Sequence, residues 1–263
     1  MRYEILGRIR TVDGAGPAEL SAPKTNLLLA LLLSRAGRVV TPEQIVAELW
    51  GGTEPRRAQA AIHVYIYKIR RFLARPDRQG CPVSTHPHGY LLTLGPDELD
   101  LDQFLGLLDD GRERARADRF EEASATLRAG LAMWRGPAFE GLAWGSAVST
   151  FAAWAEESRL ECLELLVECD LMMGLHREQV RPLYELTEAH PLREGFYRQL
   201  MLALYRSHRQ ADALEVYQRA RATLKKELGL EPCRALRDLQ QAILSADHWL
   251  LRIPAHAELR AVS

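Results

Sequence analysis

The stretch from Arg56 to Arg75, RRAQAAIHVYIYKIRRFLAR, carries Arg56, Arg57, Lys68, Arg70, Arg71 and Arg75 and not one acid. At about 100° per residue on a helix, Ile62, Ile66, Ile69 and Leu73 fall on one side, flanked by Phe72 and Tyr65. Arg56, Ala60, His63, Val64, Tyr67 and Arg71 fall on the other, with Arg57 and Lys68 beside them. One face buries in a small core. The other offers cations, ring side chains and small apolar groups, which suits a major groove. An ordinary amphipathic helix also turns charge to water, so the flanking sequence has to separate the two readings.

The charge is unevenly spread. Formal net charge over 263 residues is −1. Residues 1–95 hold 13 Lys/Arg against 7 Asp/Glu, and residues 96–263 hold 21 against 28. A basic part joined to an acidic part is a polar molecule with one phosphate-seeking end. With 47% hydrophobic and 26% charged residues, the chain is expected to bury a core in two domains. The longest apolar run, Leu27 to Leu33, is far short of a membrane span. The opening MRYEILGRIR reads as a charged strand, not a secretory signal. Cys81, Cys162, Cys169 and Cys233 form no ligand pattern, and Cys162 and Cys169 are expected to be packing groups on one helix face.

In chain order, Arg2 to Thr11 alternates and predicts one half-buried strand, VDGAGP a turn, and AELSA a short returning strand. Pro23 opens a helix from Lys24 to about Arg35, with Leu27, Leu28, Leu31 and Leu32 on its core side. Val39-Val40 is a short strand. Thr41-Pro42-Glu43-Gln44 reads as a capping box with proline at N1, starting a helix that runs to Trp50 and stops at Gly51-Gly52. The basic helix follows. Cys81–Thr85 and Tyr90–Leu94 then make a hairpin, with Pro87, His88 and Gly89 at its tip and His86 and His88 crowning it. Strands, three helices and a hairpin, with the third helix basic, present that helix to a major groove and the wing to the adjacent backbone or minor groove.

These residues carry a resemblance. LSAPKTNLLLALLLSRAGRVVTPEQIVAELWG, AAIHVYIYKIRRFL and THPHGYLL resemble the OmpR-type winged helix, and more closely its form in the Streptomyces antibiotic regulatory protein family. The resemblance covers nearly all of residues 1–95. It implies DNA contacts from Ala60, His63, Val64, Tyr67, Lys68, Arg70 and Arg71 on the third helix and from His86 and Tyr90 on the wing. It also implies phosphate contacts from Lys24, Thr25 and Trp50. Arg56, Arg57 and His88 complete the expected DNA-binding set. The family usually has Gln at His63, Arg at His86 and often Ser at Tyr67, so base preference is expected to differ at those places. A histidine at the wing is charged only when protonated.

Beyond GPDELDLD, an acidic connector over Gly95–Asp102, the chain reads as helix. The expected segments are Asp102–Ala117, Arg119–Trp134, Ala147–Gly174, Arg177–Ala189, Leu192–Ser207, Gln210–Leu228 and Cys233–Ala246. RGPAFEGLAWG (Arg135–Gly145) is the one long loop. LMMGLHREQVRPLYEL aligns with LALYRSHRQADALEVYQR, placing Tyr184 and Tyr217 at equivalent positions, and ADRFEEASATLRAGL is a degenerate third copy. Such hairpins bury their apolar faces by stacking, as tetratricopeptide-like repeats do. WRGPAF, HPLREGFYRQLMLALYRSHRQADALEVYQRARATLKKELGLEP and LRDLQQAIL resemble the bacterial transcriptional activation domain of the same family. That implies packing on the winged helix, dimerisation and engagement of RNA polymerase. His176, His190, His208 and His248 read as surface residues. Trp249, Leu250 and Leu251 read as a segment that docks on the repeats or drives self-association.

The expected fold class is therefore mixed. An N-terminal α+β winged helix-turn-helix spans 1–95, a C-terminal all-α tetratricopeptide-like domain spans 96–246, and a tail spans 247–263. The expected function is a sequence-specific transcriptional activator, pathway-specific for a secondary-metabolite (antibiotic) gene cluster. It binds double-stranded DNA at promoter direct repeats as a homodimer and recruits RNA polymerase holoenzyme. Cytoplasmic, nucleoid-associated localisation, no membrane partner, no cofactor and no metal complete the reading. With no kinase, P-loop or receiver segment, the chain reads as a stand-alone regulator. A helical-repeat adaptor whose winged helix binds protein is the alternative. An enzyme is disfavoured, since there is no nucleophile elbow, metal pattern, Gly-rich phosphate loop or paired catalytic carboxylates.

Overall fold

The alternation of Arg2–Thr11 does not extend into a single strand. It breaks into β1 (Arg2–Glu4) and β2 (Arg10–Asp13), which pair antiparallel with Tyr3 opposite Thr11. The break lies between them: the Ile5 and Leu6 amides go to the Asp100 carboxylate and not to a neighbouring strand, and Gly7 adopts φ +138°. A side chain at Gly7 would also crowd Arg135, whose Cβ lies 3.1 Å from the position a Cβ would take. β3 (Gly16–Ala18) pairs with β2 across Asp13–Gly16, so the returning strand begins at Gly16, before the expected AELSA. The Asp13 carboxylate accepts the Ala15 amide at 2.8 Å to close that turn.

The computed structural model describes residues 1–51, 55–74, 80–142, 145–247 and 250. The expected ends at Gly52 and Arg75, the loop residue Trp144, and His248, Trp249 and Leu251 lie outside the described residues. Two compact units account for the chain: residues 1–106 with 130–160, and residues 107–129 with 161–263. This division does not follow the acidic connector, because residues on both sides of it belong to the first unit.

In the first unit, α1 (Pro23–Ser34) has Pro23 in its first turn and buries every residue from Leu27 to Leu33. It packs on α2 (Pro42–Trp50), α3 (Ala58–Leu73) and the wing. The capping box on α2 is formed: Gln44 N donates to Thr41 Oγ1 at 3.4 Å, and Thr41 N donates to Gln44 Oε1 at 3.1 Å. Gly51 ends α2 in the left-handed conformation. β4 (Val39–Val40), β5 (Val83–His86) and β6 (Gly89–Leu92) form an antiparallel sheet in the order β4-β6-β5. Gly89 is required here. Its φ is +147°, and an added Cβ would sit 2.1 Å from the Val40 carbonyl oxygen.

The acidic connector is not a free linker. It forms β7 (Glu98–Leu99), which pairs parallel to β1 and makes the first sheet β3-β2-β1-β7. α4 (Asp100–Arg116) starts directly after it. The buried Asp100 carboxylate accepts the Ile5 amide at 2.9 Å and the Leu6 amide at 3.1 Å, with Arg135 Nη2 3.7 Å away. Burial pushes its pKa up, partly offset by those amides and Arg135. The long loop is stitched to the same turn: Arg135 N donates to Leu6 O, Phe139 N to Ile5 O, and Glu140 N to Gly7 O, at 2.8–3.1 Å. Neighbouring Glu4 is buried between Arg2, Arg10 and Arg135. Burial opposes its ionisation, but hydrogen bonds from Arg10 and Arg2 outweigh that and hold its carboxyl below the ordinary 4.5. Buried Glu48 on α2 accepts the amides of Ala147 (2.9 Å) and Val148 (3.1 Å), capping the first turn of α6 (Ser146–Met172).

In the second unit, α5 (Phe120–Leu131) follows α4, and α7 (His176–Ala189), α8 (Glu194–Arg206), α9 (Gln210–Leu228) and α10 (Arg234–Leu244) follow α6. The turns after α4, α6 and α8 share one geometry. Asp118, Gly174 and His208 are left-handed at φ +58°, +84° and +63°. The next amide in each, from Arg119, Leu175 and Arg209, reaches back to the carbonyl of Arg114, Asp170 and Leu204. This common turn is the physical form of the repeat. Buried Asp170 joins three helices, accepting from Ser124 (2.8 Å), Arg128 (2.5 Å) and Gln179 (2.6 Å). Cys162 and Cys169 are buried packing groups as expected, and burial pushes both thiols up to about 12. Leu250 is buried and its carbonyl accepts from Arg206 Nε at 2.8 Å. No helix among the described residues is long and apolar enough to cross a membrane.

Two outcomes test this account. Glu4 contributes stability above its ordinary pKa and loses that contribution as pH falls through its lowered folded value. The gap in thermal midpoint between Glu4→Gln and the parent chain is therefore largest at neutral pH and closes as pH falls below the ordinary carboxylate range and through that lowered value; a gap that does not shrink rejects the assignment. Gly89→Ala forces its Cβ into the Val40 carbonyl and costs about 1–3 kcal/mol, read by chemical denaturation. A neutral result means that β4 and β6 do not approach as described.

Candidate nucleic-acid interface

α3 divides as its sequence dictates. Ile62, Ile66, Ile69 and Leu73 are buried, while Gln59, Ala60, His63, Val64, Tyr67, Lys68 and Arg71 are exposed. Val64 is 50% and Tyr67 64% exposed, a high value for a tyrosine. Over 16 residues the helix runs about 24 Å, enough to present His63, Val64 and Tyr67 side by side on consecutive turns. Gln59 Nε2 and His63 Nε2 lie 3.5 Å apart, one turn from each other. Arg56 and Arg57 are exposed in the turn that leads into the helix, and Arg57 is its N-cap residue.

Three helices meet at one end of this face. Lys24, in the first turn of α1, places its ammonium 4.7 Å from the Trp50 ring centroid at the end of α2. Trp50 in turn stacks on Tyr65 of α3, with centroids 6.4 Å apart and planes at 30°. Lys24 and Trp50 are thus brought together. The involvement of Tyr65 was not seen in the sequence, where it only flanks the apolar stripe. Its half-buried place between the two faces was the available signal.

Three expected contact residues turn their side chains to protein. Thr25 is fully buried and its Oγ1 has no hydrogen-bond partner among the described residues, so its side chain faces protein, not solvent. Tyr90 is only 5% exposed, opposite Thr85 on β5 and Val40 on β4, and is part of the wing's core. Its burial raises its pKa, partly countered by the charge of Arg70. Arg70 is half-buried and faces the wing. Its Nε donates to the Val83 carbonyl at 3.0 Å and its Nη2 to Thr85 Oγ1 at 2.7 Å. This bidentate grip pins β5 to α3, a task that a lysine's single ammonium does not reproduce. His86, at the end of β5, and His88, in the turn, are exposed at the wing tip. Among the described residues, no group of three His, Cys, Asp or Glu side chains is placed to hold a metal ion.

The arrangement is therefore an exposed, acid-free helical face with an aromatic-cation stack at one end and a pinned hairpin beside it. Comparison with known proteins gives it a family. The family described as "Transcriptional regulatory protein, C terminal" matches residues 17–92, and "Bacterial transcriptional activator domain" matches residues 99–244. The chain is 36% identical to Regulatory protein DnrI of Streptomyces peucetius, over 98% of this chain and 99% of that protein. It is 36% identical to Transcriptional regulator RedD of Streptomyces coelicolor, over 97% and 73%. Against Regulatory protein AfsR of Streptomyces coelicolor it is 37% identical over its whole length but spans only 25% of that larger protein. A solved structure of Mycobacterium tuberculosis EmbR in complex with low affinity phosphopeptide aligns with a TM-score of 0.87 at 31% identity, covering 99% of this chain and 68% of that one. On the two matched domains, and on relatives of which it covers 73% and 99%, this chain belongs to the Streptomyces antibiotic regulatory protein family of transcriptional activators.

Proposed function

We propose that this chain binds double-stranded DNA sequence-specifically, with α3 in the major groove and the wing on the adjacent backbone or minor groove. The observation that carries this reading is the exposed outer face of α3, which holds Lys68 and Arg71 beside His63, Val64 and Tyr67 with no acid among them. Lys24, Trp50, Arg56, Arg57 and Arg71 take phosphates and set position, while His63, Val64, Tyr67 and Lys68 meet base edges, with Ala60 leaving room for close approach. Val64 suits a thymine methyl. His86 and His88 are the wing's contacts. Arg70 acts through the wing, as a positioning residue.

Residues 1–95 form the DNA-binding domain and 96–246 the activation domain. Two protomers bind as a homodimer on promoter direct repeats, spaced by whole helical turns so that both meet the same face of the duplex. The helical repeats then engage RNA polymerase holoenzyme, and the genes controlled are a secondary-metabolite cluster in the cytoplasmic nucleoid. The family membership and the two matched domains support these steps. A second reading, in which the winged helix docks on protein, draws on the exposure of Val64 and Tyr67.

Mobility shift with the chain's own upstream region discriminates. Binding is expected at low salt, where the phosphate contribution is strongest; its absence there favours the protein-docking reading. Arg71→Ala weakens binding on all sequences and lowers the slope of log K against log salt by about 1. Tyr67→Ser alters base preference in selection from random duplexes. Arg70→Ala weakens binding but leaves the salt slope unchanged, because it loosens the wing without removing a phosphate contact. A slope that falls as it does for Arg71→Ala makes Arg70 a phosphate ligand instead.

A further inference from the structure

The far corner of α1 carries a surface that DNA binding does not use. Ala147, Thr150, Phe151 and Trp154 fall at i, i+3, i+4 and i+7 and form one stripe along the first turns of α6. Together with Arg35 and Arg38 they line a depression of about 520 Å³. A second depression of about 350 Å³ shares Phe151 and Trp154 and continues to Leu99 and Leu101.

Aromatic contacts run outward from the core here. Buried Phe139 lies 5.7 Å from Phe151, and Phe151 lies 5.4 Å from Trp154, which is 47% exposed. Single exposed apolar residues are ordinary, but a large half-exposed ring shared by two adjoining depressions is not. Neither the Arg35 nor the Arg38 guanidinium has a hydrogen-bond or ion-pair partner among the described residues. Arg35 is the C-cap residue of α1, where a cation is favoured by the helix dipole. That account does not extend to Arg38, which lies beyond the helix. Nor do these cations belong with Lys24. The 12 residues of α1 rise about 18 Å, so the corner is at the opposite end of the helix from Lys24 and Trp50.

An exposed tryptophan lining the same depression as two unpaired arginines has the composition of an interface hot spot, and its charge selects the partner. We propose that this corner docks an acidic peptide segment of a partner protein. An aliphatic or aromatic anchor of that segment seats against Phe151 and Trp154, and its carboxylates pair with Arg35 and Arg38 through charge-assisted hydrogen bonds. The inference does not rest on the DNA reading, and the two are measured separately.

The probe is a fluorescein-labelled synthetic peptide that interleaves Glu and Asp with Leu and Phe. Its control has Lys in place of every acid. Fluorescence anisotropy on the full chain is expected to show saturable binding of the acidic peptide only. Arg38→Glu and Trp154→Ala each weaken it about tenfold or more, Trp154→Phe retains most of it, and affinity for the upstream duplex stays unchanged in all three. Because Arg38 is exposed, its variant keeps the test valid if Trp154→Ala fails to fold. Three results overturn the proposal: no binding of the acidic peptide, equal binding of the Lys control, or indifference to Arg38→Glu. Two others reassign the corner and overturn it equally. Loss of duplex affinity with Arg38→Glu makes it a DNA contact, and a change of sedimentation state makes it a contact between copies.

Discussion

The turn between β1 and β2 is held by the Asp100 carboxylate, and much of the first unit depends on that interaction. Ile5 and Leu6 are buried in the break between β1 and β2, beyond the last paired residues of the sheet. A buried amide without a partner is costly. Asp100 takes both amides, while the loop from Arg135 to Glu140 supplies donors to the carbonyls of Ile5, Leu6 and Gly7. Arg135 then faces both Asp100 and Glu4, so that two buried carboxylates share a cation. Removing Arg135 takes from both carboxylates the cation they share, which couples them into one cluster.

Glu48 repeats this logic on the helical side of the same unit. Its carboxylate caps α6, and it stands on α2 two residues before Trp50. The helix that carries Trp50 is thus held at its start by the Thr41–Gln44 capping box and near its end by this charged cap. Supports at both ends fix the backbone that carries Trp50. Arg70 extends the principle to the wing. Its side chain is the strut between α3 and β5, which explains why a cation-rich helix holds one arginine turned away from the exposed face.

The helical unit uses local geometry where the first unit uses buried charge. One left-handed residue after each of α4, α6 and α8 sets the same turn, although the residues are Asp118, Gly174 and His208. Side-chain chemistry at that place is free to vary because the backbone bond from the following amide defines the turn. This explains why the repeat is only faintly visible in sequence, and why its third copy looks degenerate.

The sequence by itself determined the elements whose signals are local. The capping box at Thr41–Gln44, the apolar stripe of α3, the hairpin over Val83–Leu92 and the helices α4 to α10 follow from periodicity, capping and turn chemistry within a few residues. The exposed outer face of α3 was legible for the same reason. Only the tertiary structure decided that Ile5–Ile9 is a turn, that Glu98–Leu99 is a strand, that Thr25 and Tyr90 are buried, and that Arg70 belongs to the wing. Each of these depends on a partner far along the chain: β1 for β7, Arg135 for Gly7, Val83 for Arg70. A carboxylate or an arginine looks the same in sequence whether it meets water or a buried amide, and long-range packing alone settles which.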